Sequence, residues 1–304
     1  MSGVRLLPRQ VRFRALGTAV SVLFVGELPR GSAGAIRALF AEWEATLSRF
    51  APHSELSLIN RSAGRPAPAG PLLRSVLRAA VSAARSSDGL FDPTLGRQMA
   101  AIGYDRSFEG PVRLAGGTFV RDLPSGGWRT IQIDDAAGLV TIPAGTALDL
   151  GGIAKGMAVD AAVALLLGTG ATGALVNAGG DMRVVCDGAA DWHVGFDEAD
   201  SHTVTLTGGA IATSGITTRR WTQGGIKQHH LIDPRTASPA RSDLRTVSVA
   251  APTCAQAEVA AKVALLLGSL DGARFLAQRD LPGVMTLLDG SAQPTPSWPD
   301  RAAA

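Results

Sequence analysis

Residues 148–160 of the chain are Leu148-Asp149-Leu150-Gly151-Gly152-Ile153-Ala154-Lys155-Gly156-Met157-Ala158-Val159-Asp160. Short extended segments are predicted before this stretch, and strong helix formers follow it over residues 158–167 until Gly168 ends the run. A glycine turn that opens a helix lets backbone N–H groups approach a ligand closely, and the helix N-terminus adds partial positive charge. Because Lys155 lies inside the turn and Asp149 precedes it, the pattern is typical of a phosphate site. An ordinary connection with a solvated lysine fits the same residues.

Composition limits the classes of protein to consider. The 304 residues are 46% hydrophobic, enough for a substantial core, and the net charge is only +3. The arginines are scattered and accompany a single tyrosine, which argues against a nucleic-acid surface. Cys186 and Cys254 are far apart, so we expect neither a disulfide framework nor a zinc site. We also expect no membrane insertion and a cytoplasmic protein, because no long apolar run, apolar signal region or N-terminal lipid-attachment cysteine occurs.

Hydrophobic periodicity predicts an α+β fold. Helical spacing occurs over residues 33–47, 54–60, 72–86, 254–267 and 271–278. Strand patterns occur over residues 11–25, 131–133, 139–142, 173–178, 182–185, 192–196, 203–206, 210–214, 228–232, 246–251 and 283–288. The helices and strands are segregated, and neither GxGxxG after the first strand nor GxxxxGK[ST] is present, so a doubly wound nucleotide fold is not expected.

These patterns predict mixed or antiparallel sheets in a single domain over residues 11–290. We expect two entangled lobes with an active cleft between them. Residues 100–127 are expected to form an irregular connection, and residues 1–10 and 291–304 flexible termini.

Four turns marked by glycine or proline carry charged, hydroxyl or amide groups. They are Phe91-Asp92-Pro93-Thr94, Asp149-Leu150-Gly151-Gly152, Asn177-Ala178-Gly179-Gly180-Asp181 and His229-His230-Leu231-Ile232-Asp233-Pro234-Arg235-Thr236. Each is also explained by ordinary turn chemistry. Four such polar turns in an apolar chain nevertheless predict a convergent pocket.

Two pairs of titratable residues have alternative explanations. His229 and His230, beside a turn that contains Asp233, include a candidate general base or form an exposed pair. Glu258 and Lys262 have the i, i+4 spacing of a solvated helix pair. Their neighbours are small or apolar, however, which is unusual for two charges on a surface.

Taken together, these stretches make the sequence similar to the ApbE family of FAD:protein FMN transferases, over roughly residues 13–288. Residues 149–156 match the family's Asp-Leu-Gly-Gly-Ile-Ala-Lys-Gly at every position. The other matching motifs occur in the family's order: Leu16-Gly17-Thr18, Phe50 with Ser54-Glu55-Leu56 and Asn60, Leu90-Phe91-Asp92-Pro93-Thr94, residues 177–181, Ala212-Thr213-Ser214-Gly215 and residues 230–236.

The resemblance implies a division of labour among the motifs. It implies that FAD is held by Leu16, Phe50, Leu90, Phe91, Asp92, Asp149, Lys155 and Ile232. It implies that Mg²⁺ is held beside the pyrophosphate by the carbonyl of Gly152 and by the helix that carries Glu258, Ala261 and Lys262. It implies catalytic roles for Lys155 and for His230, the latter as the base that deprotonates an acceptor threonine.

The implied reaction is phosphoryl transfer. A threonine hydroxyl in the target motif of an acceptor flavoprotein attacks the FMN-side phosphorus of FAD, AMP leaves, and FMN stays attached through a phosphoester. Such a reaction requires positioning, a base for the hydroxyl and cationic neutralisation of the pyrophosphate.

Two departures from the family pattern bear on this expectation. The family's metal helix usually carries Asp followed by Ala-Thr three and four residues later, where this chain has Glu258, Ala261 and Lys262. An ammonium cannot ligate a cation, so we expect Mg²⁺ binding to be weakened or lost while FAD binding remains, with the charge of Lys262 replacing part of what the ion does. The family's usual Ser-Gly-Asp-Tyr is replaced by residues 214–217, Ser-Gly-Ile-Thr, and arginines follow at 219 and 220.

The sequence also fits two other functions. An FAD pyrophosphatase would use water in place of threonine and release FMN and AMP. A non-catalytic or weakly active FAD-binding protein would hold FAD without producing AMP.

Overall fold

The computed structural model describes residues 9–26, 29–107, 112–114, 125–186, 192–195 and 203–298. The helices within these ranges are α1 (Ser32–Leu47), α2 (Glu55–Arg61), α3 (Pro71–Ser86), α4 (Gly96–Ala101), α5 (Ala154–Gly168) and α6 (Cys254–Ala277). The strands are β1 (Arg9–Ala15), β2 (Thr18–Val25), β3 (Ala67–Pro68), β4 (Val112–Leu114), β5 (Gln132–Asp134), β6 (Leu139–Thr141), β7 (Gly173–Ala178), β8 (Asp181–Cys186), β9 (Trp192–Gly195), β10 (Thr203–Leu206), β11 (Gly208–Gly215), β12 (Arg220–Gln223), β13 (Ile226–His229), β14 (Ile232–Asp233), β15 (Ser238–Pro239), β16 (Leu244–Ala251), β17 (Gly283–Leu287) and β18 (Ala292–Pro294).

An eight-stranded antiparallel sheet organises the fold. Its strand order is β1-β2-β7-β8-β11-β16-β17-β18. Helix α5 packs over β7 and β8, α6 packs over β11 and β16, and the two helices contact each other on the same face of the sheet. Small residues of the strands beneath them, Ala174, Ala178, Ala210 and Ala212, are fully buried and permit this close layering. The predicted α+β class is confirmed.

The opposite face of the sheet is covered in part by the hairpin of β9 and β10. Leu175, Met182 and Ile211 point to that face and pack against Trp192 and Leu206 of the hairpin. Strand residues alternate between the two faces, so β7 and β8 contribute to two separate layers of core.

Helix α5 begins four residues earlier than its composition predicts. It starts at Ala154, whose N–H donates to Leu150 O at 2.9 Å, so Lys155 and Gly156 lie in the first turn. Gly156 lowers intrinsic helix propensity, but it lies where α5 touches α6: a Cβ atom built there would be 2.7 Å from the backbone nitrogen of Ala255. Tertiary packing therefore sets the start of the helix, and only glycine fits at the contact.

One turn further along α5, Asp160 caps the start of α6. Its carboxylate accepts hydrogen bonds from the N–H groups of Cys254 at 2.9 Å and Ala255 at 3.1 Å, and from Arg183 at 3.0 Å. Thr253 caps the same terminus through its own hydroxyl, which accepts from Gln256 N–H at 3.3 Å. Anions at a helix N-terminus are stabilising, so these contacts fix α6 against α5.

Several boundaries differ from the sequence expectations. The expected strand over residues 228–232 is divided into β13 and β14, because His230 turns and its N–H donates to Arg219 O at 3.2 Å. Strand β12 has no counterpart in the predicted strands. The expected helices over residues 254–267 and 271–278 meet at Gly268, whose φ of 82° breaks α6.

Part of the C-terminal segment pairs with the large sheet. Strand β18 pairs with β17, and Thr295 exchanges hydrogen bonds with the backbone of Gly283 at 2.8 and 2.9 Å. The expected flexibility of residues 1–10 and 291–304 stays a prediction, although residues 292–295 have hydrogen-bond partners in the sheet and β1 includes residues 9 and 10. The expected irregular connection over residues 100–127 lies partly outside the described residues. None of the helices in the described ranges is both long and apolar enough to cross a membrane.

The contact at Gly156 has a measurable consequence. We expect Gly156→Ala to lower the free energy of unfolding by about 1–3 kcal/mol, because the added methyl overlaps backbone that cannot rotate away. The matched control is Gly168→Ala at the other end of the same helix, where a Cβ meets no atom within 4 Å. Denaturant unfolding of both variants gives the comparison, and equal stabilities would contradict the assigned role of Gly156.

Candidate functional site

A cleft of about 500 Å³ lies where turns at the ends of strands of the large sheet meet the N-terminal parts of α5 and α6. Its wall includes residues from the β1–β2 turn, the segment after α1, the glycine turn before α5, the β7–β8 turn, the end of β11 and the segment after β13. The charged, polar or aromatic members used below are Arg49, Phe50, Tyr104, Asp149, Lys155, Asp181, Arg219, His230, Glu258 and Lys262. The predicted Leu16 and Gly152 also line it.

Lys155 is at the centre of an ion cluster. Its ammonium contacts the carboxylate of Asp181 at the start of β8 and that of Glu258 in α6. The side chains of Lys155, Asp181 and Glu258 are only 16%, 3% and 6% exposed, so these are buried ion pairs rather than surface contacts. Burial lowers the pKa of Lys155, but the two carboxylates outweigh it and raise the pKa above its ordinary value. Lys155 is therefore charged throughout the physiological range.

Glu258 binds a backbone N–H group of the stretch in which the sequence pattern predicts a phosphate site. Its second carboxylate oxygen accepts from the N–H of Gly156 at 2.9 Å, in the first turn of α5. Burial raises the pKa of Glu258 to about 7, against the opposing effect of Lys155. This N–H is therefore engaged by the protein's own carboxylate, and the phosphate site expected at the glycine turn stays a prediction. Glu258 is also not one half of a solvated helix pair.

Asp149 forms the opposite wall. Its carboxylate accepts from Arg49 at 2.5 Å and from Gly151 N–H at 3.0 Å. Burial raises the pKa of Asp149, but the charges of Arg49 and Lys262 outweigh it, and the pKa lies below its ordinary value. An ionised Asp149 thereby connects the glycine turn to the segment that follows α1.

An aromatic group lines the side of the cleft beside Arg49. The guanidinium lies over the rings of Phe50 and Tyr104, at 4.2 and 4.7 Å from their centroids. Tyr104 stacks on Trp221 with centroids 5.4 Å apart, and Phe50 meets Tyr104 edge-on at 5.5 Å. Flat aromatic and guanidinium surfaces of this kind suit a planar ring system.

His230 closes the cleft on the same side. Its ring meets Tyr104 edge-on at 6.4 Å, and among the described residues its buried Nδ1 has no hydrogen-bond partner. Burial, followed by the charges of Arg219 and Lys262, lowers the pKa of His230 well below its ordinary value of 6.5. The imidazole is therefore neutral near pH 7 and has an acceptor nitrogen. The alternative of an exposed histidine pair is wrong, and His229 hydrogen-bonds Ala240 O at 3.0 Å.

Lys262 lies against the glycine turn. A Cβ atom built at Gly152 would be 3.2 Å from its Nζ, so the absence of a side chain at 152 gives the ammonium its place. The ammonium is 5.1 Å from the centroid of the Phe91 ring. Burial lowers the pKa of Lys262, and the charges of Asp149 and Glu258 oppose that effect. Within the described ranges, the ammonium forms neither an ion pair nor a hydrogen bond with the protein.

Five predicted site residues do not line the cleft. Leu90 and Asp92 line a separate cavity of about 360 Å³, and Phe91, Ile232 and Ala261 are buried in the core. Asp92 accepts hydrogen bonds from Thr94 and, at 2.6 Å, from Gly126 N–H, which stiffens the turn before α4. The same turn supports Asp149 in the wall of the cleft, because Pro93 O accepts a hydrogen bond from Asp149 N–H at 2.8 Å. Their assigned contacts with ligand or metal stay predictions, and the structure gives these residues supporting positions.

The site residues predicted from the sequence do not include Arg49, Tyr104, Asp181, Arg219 and Trp221. Two local signals were present: Arg49 directly precedes Phe50, and Tyr104 is the only tyrosine of the chain. The partnership of Arg49 with Asp149 spans 100 residues of sequence and leaves no local pattern.

These features define an α+β protein with a polar, partly aromatic cleft at the ends of the strands of its antiparallel sheet. The model of the ApbE family matches residues 16–286, and the chain belongs to that family. It is 33% identical over 279 residues to an FAD:protein FMN transferase of Rhodobacter capsulatus, covering 88% of this chain and 52% of that protein. It is 30% identical over 272 residues to an FAD:protein FMN transferase of Treponema pallidum (strain Nichols), covering 82% of this chain and 74% of that protein. The chain thus spans about half the length of the first relative.

A solved structure agrees with this assignment. The ApbE protein of Thermotoga maritima, known from a crystal structure, superimposes with a TM-score of 0.84 at 26% identity. The match covers 96% of this chain and 98% of that one. The resemblance seen in the sequence motifs is confirmed.

The ion cluster makes a prediction about stability. We expect Lys155→Met to lower the free energy of unfolding by about 3 kcal/mol at pH 8, because it leaves Asp181 and Glu258 buried without their cation. The loss should shrink as the pH falls. The pKa of Glu258 in the folded protein is about 7, so Glu258 becomes protonated in acid and no longer needs the cation. Denaturant unfolding between pH 5 and pH 8 measures the trend.

The exposed Lys227 offers the control for this measurement. Lys227→Met should change stability by no more than about 0.5 kcal/mol at any pH, as is usual for surface substitutions. A Lys155→Met variant as stable as the wild type at pH 8 would contradict the buried ion cluster.

Proposed function

We propose that this member of the ApbE family is an FAD:protein FMN transferase, which moves FMN from FAD to an acceptor protein and releases AMP. The observation that carries the proposal is the convergence of Lys262, Arg219 and His230 on one cleft with an aromatic side. Cations suit a diphosphate, flat rings suit a flavin or adenine, and a neutral imidazole suits the activation of a hydroxyl. The names of the Rhodobacter capsulatus and Treponema pallidum relatives support the same activity.

In the proposed reaction, a threonine hydroxyl of the acceptor attacks the FMN-side phosphorus of FAD. A new P–O bond forms as the bond between that phosphorus and the bridging oxygen breaks, and AMP leaves with the bridging oxygen. The neutral imidazole of His230 accepts the threonine proton and later releases it to the AMP phosphate or to solvent. Positioning supplies most of the acceleration in reactions of this kind, and the arrangement of Asp149, Arg49 and the aromatic rings serves that purpose.

Magnesium is the ion that the family resemblance implies, and the residues present do not fit it well. A Mg²⁺ site needs several oxygen ligands in near-octahedral geometry. Here both oxygens of Glu258 are engaged by Lys155 and Gly156, and an ammonium stands at 262. In the described part of the chain, no three His, Cys, Asp or Glu residues are grouped as metal ligands. We therefore derive no step of the reaction through a metal ion.

The experiment that tests the activity is co-expression with candidate threonine-bearing flavoprotein domains, followed by mass measurement of the intact acceptor. A mass gain of one FMN, lost when the acceptor threonine is replaced by valine, is the expected result. Release of free FMN and AMP from FAD without any acceptor would instead identify a pyrophosphatase. Stoichiometric binding of FAD with no AMP in the presence of every acceptor would identify a binding protein.

The assignment of His230 as the base gives a pH dependence. Because its pKa lies well below 6.5, the neutral form persists as the pH falls, and kcat/KM should stay constant from pH 7.5 through pH 6.5. His230→Ala should lower kcat by about 10²–10⁴-fold while FAD affinity is kept.

The exposed His53 gives the matched control, and His53→Ala should leave the rate unchanged. A decline of kcat/KM with an apparent pKa at or above 6.5 would contradict a base with a lowered pKa. An active His230→Ala variant would exclude the residue as the base.

A further inference from the structure

Lys262 is the cation of the cleft that lies against the glycine turn, without a carboxylate partner among the described residues. Arg49 is paired with Asp149, and the ammonium of Lys155 is shared between two carboxylates. Lys262 has no such partner in the described residues, and its nearest aromatic neighbour is the ring of Phe91. An ammonium directed into a cavity without a carboxylate partner is arranged to meet an anion from outside the protein.

The position of this ammonium is fixed by the same turn that adjoins the cleft. A Cβ atom built at Gly152 would be 3.2 Å from Nζ and 3.3 Å from Cδ of Lys262. The lysine side chain is therefore within contact distance of the glycine turn. Lys262 follows Glu258 by one turn of α6, so both point from one side of the helix. Since Glu258 is bonded to Lys155 and Gly156, the helix contributes a free cation and an engaged carboxylate rather than a set of cation ligands.

We propose that the ammonium of Lys262 takes the place of a divalent metal ion beside the diphosphate, so that this protein binds and uses FAD without added Mg²⁺. The inference rests on the proposed function, and it identifies which group neutralises the leaving phosphate. As the P–O bond to the bridging oxygen breaks, negative charge develops on the AMP phosphate. Lys262 donates a charge-assisted hydrogen bond to that oxygen, and no proton or electron is consumed by its part in the step.

A titration with FAD tests the inference without an acceptor. Flavin fluorescence gives the Kd of the purified wild-type protein in EDTA and in millimolar Mg²⁺. We expect the two values to differ by less than about twofold, and calorimetric titration of the FAD-loaded protein with Mg²⁺ to show no binding. A Kd that improves about tenfold or more with Mg²⁺, or saturable Mg²⁺ binding, would overturn the proposal.

Lys262→Thr supplies the complementary variant, because it removes the ammonium and adds a hydroxyl oxygen. In EDTA its affinity for FAD should fall by about tenfold or more, as expected for the loss of a charge-assisted contact. Part of the lost affinity should return with Mg²⁺, which now meets no competing charge.

Lys227→Thr, at an exposed site on β13, should behave as the wild type in both buffers. An unchanged affinity for Lys262→Thr in EDTA would refute the role of the ammonium, and if this variant does not fold, the wild-type titration still decides.

Transfer assays separate the failure of this inference from failure of the proposed function. With an acceptor that becomes flavinylated, the wild-type rate in EDTA should be at least about half the rate in Mg²⁺. Transfer that occurs only with Mg²⁺ would refute the inference and leave the transferase function standing. Metal-independent binding of FAD without transfer to any acceptor would support the role of Lys262 and refute the transferase function.

Discussion

The close approach of α5 to α6 at Gly156 is the constraint on which the site depends. Without a side chain at 156, the backbones of the two helices come close enough for Glu258 to reach both Lys155 and the Gly156 N–H. Asp160, one turn later, caps α6 and holds the same contact at its far end. A larger residue at 156 would separate the helices, and the ion cluster would lose its geometry before any ligand was involved.

Much of this arrangement was predictable from local chemistry. Ser54, the first residue of the predicted helical segment 54–60, caps α2, and its hydroxyl accepts from Ser57 N–H at 3.0 Å. The Leu16-Gly17 turn joins β1 to β2 with both residues at positive φ. Three of the four polar turns predicted to converge do line the cleft, whereas the turn of residues 91–94 does not. What could not be predicted is which groups the turns meet, because the ion pair of Arg49 with Asp149 and the contact of Gly156 with α6 join residues far apart in sequence.

The charges of the cleft include two paired groups, and the cations Lys262, Arg219 and Arg220 line it as well. Arg49 keeps Asp149 ionised, and the ammonium of Lys155 is shared between the carboxylates of Asp181 and Glu258. Their mutual pairing gives the cleft a fixed frame rather than a set of free ligands. Lys262 and the neutral His230 are the groups that the proposed reaction uses to act on a bound molecule. The sequence suggested this role for Lys262 by its departure from the family pattern, whereas the neutrality of His230 depends on burial that only the fold reveals.

A crystal structure of the protein with FAD, grown in EDTA, tests the central claim most directly. We predict that the diphosphate lies between the glycine turn and α6, with an oxygen within hydrogen-bond distance of Lys262 Nζ, and that a planar ring contacts Tyr104 or Phe50. Lys155 should remain bound to Asp181 and Glu258. FAD bound away from this cleft, or with its diphosphate turned from Lys262, would contradict the account.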